Sequence, residues 1–327
     1  MMSVNRFIAT SIVPRVPERV LWFFARSYIA GETLNDALRV ASQYNESGIE
    51  TTTDVLGEAT KTAEQAQTTV AQYLGAIPRL STDVRRANVS VKLTALGLDV
   101  DRGQCERNLR TLCAAARDHG VFVRIDMESS AYTGVTLAIY ERLRSEFPAV
   151  GITLQAMLKR TPADARRMAA IKANVRLCKG IYIEPPAIAF QTRSEIHASY
   201  LATLETLLDG GCYVGLATHH GALIAQAEAL IGARRLSRGE YEFQMLHGVT
   251  GQAARLVAQG HRLRVYLPFG AQWRRYAERR LHENPRLIGA MAHTVVGDGA
   301  AFAARLVGRV APRSTPHAPR ITSPRDQ

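Results

Sequence analysis

A recurring alternation of short β-rich runs and helical stretches constrains this chain more than any other feature. Eight such runs occur in order: 49–54 (IETTTD), 89–93 (VSVKL), 121–126 (VFVRID), 151–155 (GITLQ), 174–178 (NVRLC), 213–218 (YVGLAT), 241–246 (YEFQML) and 263–268 (LRVYLP). About 15 to 35 residues separate successive runs, mostly with helical patterning, which is room for one crossover helix each. Alternation of β and α implies a parallel sheet. Eight units within 327 residues suit a closed α/β barrel of the (βα)8 TIM type. A doubly wound open sheet is the competing reading, weakened because no Gly-rich phosphate fingerprint follows the first run. The expected organisation is a helical segment over 1–45 packed on the barrel, the barrel over 46–308, and a disordered basic tail over 309–327. The tail is rich in Pro, Ser and Arg, a composition that does not build a core. A last helix over 286–308, after the eighth run, is expected to serve as a lid.

The hydrophobic fraction, 46%, supplies a large core and argues against disorder. The formal net charge of +12 favours anionic surfaces, yet no basic run carries nucleic-acid motif spacing, so nucleic acid is not an expected partner. Cys105, Cys113, Cys178 and Cys212 show neither CxxC nor zinc spacing, which reads as reduced thiols in a cytoplasmic protein. No apolar run reaches transmembrane length. Arg15, Glu18, Arg19 and Arg26 interrupt the apolar N-terminal region, so a signal peptide is not expected. The patch VLWFFA (20–25) is expected to pack on the main domain, with transient contact at the inner membrane face as the second reading.

Alternate strand residues point into a barrel and the others meet the helices. Val89, Val91 and Leu93 share one parity, with Ser90, Lys92 and Thr94 on the other. Val121, Val123 and Ile125 oppose Arg124, Asp126 and Glu128; Leu263, Val265 and Leu267 oppose Arg264 and Tyr266. With the apolar parity facing the helices, Lys92, Asp126 and Tyr266 turn inward near the carboxyl ends, where active sites of this architecture gather. Plainer readings stand beside this one. Asp126 could cap the next helix, Lys92 and Asp126 could form a mutual ion pair without chemistry, and Arg279–Arg280 could be a solvated helix face. Gln155, Arg176, Lys179–Gly180 and Thr218–His219 lie in or just past other strands, and that many polar groups at strand ends are hard to explain by packing. His219, His220, Asp126, Glu128 and Glu58 are enough ligands for a metal, but none shows a diagnostic spacing and the neighbouring groups are cationic. No metal is expected.

The ordered motifs GETL and LGE (31–34, 56–58), VSVKLTALGL (89–98), VRIDME (123–128), LQ…LKRT (154–161), VRLCKGIY (175–182), LATHH (216–220), YEFQML-GV (241–249) and VYLPFG…RRL-E (265–283) resemble proline dehydrogenase in its short, single-function bacterial form. The resemblance implies FAD held at the carboxyl face of a (βα)8 barrel. It implies oxidation of L-proline to Δ1-pyrroline-5-carboxylate, with electrons passed to a membrane quinone. It also places roles residue by residue. Lys92, Arg279 and Arg280 fall on the residues that bind the substrate carboxylate. Asp126 falls on the third-strand aspartate and Arg176 on the arginine near flavin N5. Tyr266 packs on the proline ring, and Leu246 takes an apolar pocket position. Met127, Gln155, Lys179, Gly180, Ile181, Thr218, His219 and Glu283 fall on flavin contacts. Glu58 falls on the glutamate that pairs with one lid arginine.

The chain departs from the family pattern at Ile181, where alanine is common, and at Met157, His220 and His247. These differences leave open a dehydrogenase of another cyclic amino acid, or an amino-acid-binding barrel without catalysis. Tyr266 favours proline over 4-hydroxyproline, since its bulk would crowd a ring hydroxyl.

Overall fold

The computed structural model describes residues 21–22, 25–57, 59–274 and 276–277. These residues belong to one compact unit. The expected lid helix and tail, with Arg279, Arg280 and Glu283, lie outside the described residues, as does Glu58.

The elements run α1 (Leu34–Glu46), β1 (Glu50–Val55), α2 (Ala63–Asp83), β2 (Asn88–Val91), α3 (Arg102–Asp118), β3 (Phe122–Ile125), α4 (Ser130–Arg144), β4 (Val150–Gln155), α5 (Thr161–Ala170), β5 (Asn174–Cys178), α6 (Arg193–Asp209), β6 (Tyr213–Ala217), α7 (Gly221–Ala233), β7 (Tyr241–Leu246), α8 (Ala253–Ala258) and β8 (Leu263–Phe269). Each run read from the sequence is a strand, with ends displaced by one or two residues where they differ. The strands form a closed barrel in sequence order. Parallel pairing of β1 with β8 completes it, with Thr52 opposite Tyr266. Closure rules out the open-sheet alternative.

Local chemistry sets the helix starts. Thr33 begins α1 with a reciprocal capping box to Asp36, and Thr192 begins α6 with one to Glu195. Thr62 and Asp101 accept from backbone N–H groups in the first turns of α2 and α3. Each side chain satisfies a donor that the first helical turn leaves without a partner.

The apolar core lies between strands and helices. Val89, Val91, Val123, Ile125, Val175 and Leu177 contribute from the strands, and Leu109, Leu112, Leu137 and Leu204 from the helices. Full burial of each such side chain contributes about 1.5–3 kcal/mol. The opposite strand parity carries Asp54, Ser90, Arg124, Arg176, Glu242, Gln244 and Arg264, all buried. Hydrogen bonds between strands that are not neighbours, such as Arg176 of β5 with Ser90 of β2, can only cross the barrel interior. The interior is therefore polar along its length, in contrast to the branched aliphatic filling usual for such barrels.

From the VLWFFA patch, Leu21 and Ala25 are buried. The Trp22 ring lies 4.8 Å from that of Trp273, whose indole N–H donates to Glu32 (2.8 Å). Packing is thus the fate of the described part of that patch. Among the described residues, no helix is long and apolar enough to cross a membrane.

Candidate active site

The site is assembled from residues in or just past six strands of the barrel. The Asp126 carboxylate follows β3 and is its centre. Its Oδ1 accepts from the Arg176 guanidinium of β5 (2.5 Å) and the Ser90 hydroxyl of β2 (3.1 Å). Its Oδ2 accepts from the Tyr266 hydroxyl of β8 (2.7 Å), and the Lys92 ammonium lies 3.6 Å away. Lys92 donates to both oxygens of Asp54 on β1 (3.1 and 2.9 Å) and to the Tyr266 hydroxyl (3.2 Å). Arg176 also donates to Ser90 Oγ (2.9 Å) and through Nε to Gln244 of β7 (2.6 Å). Its guanidinium carbon sits 5.1 Å from the Tyr266 ring centroid. Lys92, Asp126 and Tyr266 therefore meet, as strand parity implies, and Arg176 joins them.

Of the plainer readings, Asp126 as a cap of the next helix does not hold: Ser129 occupies that position before α4. Lys92 and Asp126 do form an ion pair (3.6 Å), but not an exclusive one, because Lys92 lies nearer to Asp54 (2.9 Å). Asp54 was missed, along with Ser90 and Gln244. The signal for Asp54 was its parity, two residues beyond Thr52 at the end of an otherwise threonine-rich first strand.

The four charges belong to buried residues: Asp54 is 1% exposed, Arg176 6%, Lys92 8% and Asp126 9%. Their formal sum is zero. The two carboxyls differ in consequence. Burial pushes Asp54 above the ordinary carboxylate range, against the pull of Lys92, and the charge of Asp126 adds to the rise. Burial also acts on Asp126, but Arg176, then Lys92, and the Tyr266 and Ser90 hydrogen bonds together hold it below that range. Asp126 is thus the committed anion of the cluster. Burial, then Asp126 and Asp54, push the Tyr266 phenol well above its usual value, so it remains a donor to Asp126.

The remaining predicted residues surround this centre. Gln155 is buried and donates to the Glu128 carbonyl (2.9 Å). Met127 is buried within the apolar core. Thr218 is buried and accepts from the His220 N–H (3.2 Å). His219 is not a bare surface group: its Nε2 accepts from the Leu246 N–H (2.9 Å). Lys179 and Gly180 are half-buried, and Ile181 is 47% exposed. Gly180 has φ +101°, and a Cβ there would lie 2.5 Å from Met157 Cγ and Sδ. Only glycine suits that backbone, and Met157, one of the departures from the family pattern, is the side chain that fills the space. His247, another departure, lies 2.8 Å through Nδ1 from the Tyr44 hydroxyl, and burial pulls it down to about 4.

Residues 37–293 match the family model described as proline dehydrogenase. Proline dehydrogenase 1 of Bacillus subtilis is 34% identical over 264 residues, 80% of this chain and 87% of that protein. Proline dehydrogenase of Deinococcus radiodurans is 30% identical over 280 residues, 84% and 90% of the two chains. Among solved structures, proline utilization A from Bdellovibrio bacteriovorus superposes with a TM-score of 0.77 at 24% identity, covering 97% of this chain and 41% of that one. This chain spans about two fifths of that longer protein, and the likeness supports the barrel fold. On the family match and the two bacterial relatives, the chain belongs to the proline dehydrogenase family.

Proposed function

We propose that this protein is an FAD-dependent dehydrogenase that converts L-proline to Δ1-pyrroline-5-carboxylate and passes the electrons to a membrane quinone. The carrying observation is the buried four-charge cluster of Asp54, Lys92, Asp126 and Arg176, joined to Tyr266 at the carboxyl end of a barrel of this family. The names of the bacterial relatives support proline as the substrate.

The residues present fit a flavin dinucleotide by their chemistry. FAD is an anion rich in hydrogen-bond acceptors. Arg176, Lys179, Gln155 and Thr218 bring cations, an amide and a hydroxyl, with Lys179 half-buried just past β5. When bound, the flavin supplies the hydride acceptor for proline C5. The protein's share is to position and to balance charge. Asp126 holds Arg176, Lys92 and Tyr266 in one arrangement, so each reaches the substrate pre-oriented. Tyr266 presents its ring to the pyrrolidine, with its hydroxyl engaged by Asp126. Lys92 contributes to carboxylate binding. Asp54 already offsets its charge, so Arg279 and Arg280 carry the larger share, as bidentate donors suited to a carboxylate. The proline amine must be unprotonated before hydride leaves, so kcat/KM rises with pH toward the amine's own pKa.

The test is product analysis. The FAD-loaded protein is incubated with L-proline and a soluble quinone, and the product is identified by mass and NMR. A ring lighter by two hydrogens, with a C5–N double bond, supports the proposal. No product from L-proline, but oxidation of another cyclic amino acid, favours the second reading raised by the exposed Ile181 beside Gly180. Failure with every such ring contradicts both.

A further inference from the structure

The opposite, amino-terminal mouth of the barrel holds a cavity of about 280 Å³ lined by Arg86, Arg124, Arg262, Arg264, Glu242 and Asn174, among other residues. Two carboxylates serve three of these arginines. Arg264 binds Glu242 (2.8 Å) and also Glu50. Arg262 reaches Glu50 at 3.1 Å and Glu242 at 3.7 Å. Arg86 reaches Glu50 at 3.1 Å.

Arg124 stands apart. It is 1% exposed, and its hydrogen bonds go to neutral acceptors: the Ile152 carbonyl (2.9 Å), the Asn174 carbonyl (2.8 Å) and the Asn174 side chain. Among the described residues its Nε has no hydrogen-bond partner, and neither has Arg262 Nε. Burial, then the charge of Arg176, lowers Arg124 to about 9, which still leaves a cation at neutral pH. A buried charge without a counter-ion is among the costliest features a fold can carry. The backbone is shaped to keep it: a Cβ on Gly151 would lie 2.4 Å from Arg124 Nη1 and 2.8 Å from the Asn174 carbonyl. With four arginines against Glu242 and Glu50, the mouth carries a formal surplus of two positive charges. Among the described residues Glu242 Oε2 also lacks a hydrogen-bond partner; burial opposes ionisation of that carboxyl, but Arg264 brings it down to about 2, so it already counts in full as one of the two anions.

We infer that this mouth is a binding site for a small polyvalent oxyanion of the phosphate class, distinct from the catalytic centre at the other end of the barrel. The anion supplies the ion-pair partner that Arg124 lacks and offsets the surplus, and the cavity volume suits a ligand of a few heavy atoms. Arg86, whose side chain is 63% exposed, closes the outer side.

The test uses inorganic phosphate with the FAD-loaded full chain, at constant ionic strength set with chloride. Calorimetric titration should show saturable one-site binding, and the melting temperature should rise with phosphate as mass action requires. Arg86→Gln removes one charge-assisted contact from the rim, and the affinity should fall about tenfold. The same variant should leave proline turnover unchanged. Lys92→Met, at the opposite end, should leave phosphate affinity unchanged. Absence of saturable binding overturns the inference. So does binding that survives Arg86→Gln but is lost in Lys92→Met, which would place the phosphate at the carboxyl end.

Discussion

The two ends of this barrel solve the same problem in opposite ways. At the carboxyl end, two carboxylates and two cations cancel, and three hydrogen-bond donors and the Lys92 ammonium converge on Asp126. At the amino end, four arginines face two glutamates, and two guanidinium Nε atoms are left without partners. A continuous chain joins them. Glu242 accepts from Gln244 (2.6 Å), Gln244 accepts from Arg176 (2.6 Å), and Arg176 donates to Asp126 (2.5 Å). The balanced end is set up to act on a small zwitterion without a standing excess of charge. The unbalanced end is completed by a counter-ion from outside. Charge balance, more than the number of charged groups, separates a site that positions a substrate from one that attracts an ion.

The largest effect should come from breaking the balance at its centre. Asp126→Asn removes the anion that organises Arg176, Lys92 and Tyr266, and kcat/KM for L-proline should fall by on the order of 100-fold or more, read by steady-state kinetics. The next test separates charge from contact. Lys92→Met leaves Asp54 buried without its cation and should cost about 3–5 kcal/mol in urea unfolding. Adding Asp54→Asn should recover most of that stability but not the activity. If the double variant is no more stable than the single, Lys92 and Asp54 do not stabilise the fold as a charge pair.

Gln244 probes the link. Gln244→Leu strands Arg176 Nε and removes one of the two hydrogen bonds to Glu242 Oε1, and should cost about 1–3 kcal/mol, with a modest fall in turnover. Equal behaviour of variant and parent in both assays would show the two ends to be independent.

The amino end also makes a pH prediction. Burial opposes ionisation of Glu242, but Arg264 and the hydrogen bonds from Arg264 and Gln244 bring it down to about 2. An unfolded glutamate titrates near 4.3, so the unfolded chain binds the proton first. The stabilisation is therefore complete above about pH 4.3 and is lost as pH falls toward about 2. Glu242→Gln should melt lower than the parent at pH 6, and the difference should shrink through that window.

Most of the fold was legible because its signal is periodic. Short β-branched runs at even spacing, each followed by a helical stretch, determine a closed parallel barrel almost without regard to side-chain detail. Parity carried the argument further, bringing Lys92, Asp126 and Tyr266 to one end. What parity could not give was partnership. It offered Lys92 and Asp126 as a pair, whereas the pairing of β1 with β2 brings Asp54 nearer. Asp54 hid in a strand whose threonines gave no apolar alternation to read against. The arginine-rich amino mouth was equally hidden, because Arg86, Arg124, Arg262 and Arg264 come from distant segments that only barrel closure assembles. Ile181, Met157 and His247 stood out as departures from a pattern, and their surroundings became apparent only in three dimensions.

The most direct measurement of the central claim is anaerobic mixing of the FAD-loaded protein with L-proline, followed at the visible flavin band. Saturable bleaching, preserved in Arg86→Gln and largely lost in Asp126→Asn, is the expected result. Full bleaching in Asp126→Asn, at the parent's rate and proline dependence, would contradict it, because the four-charge cluster would then have no part in the reaction.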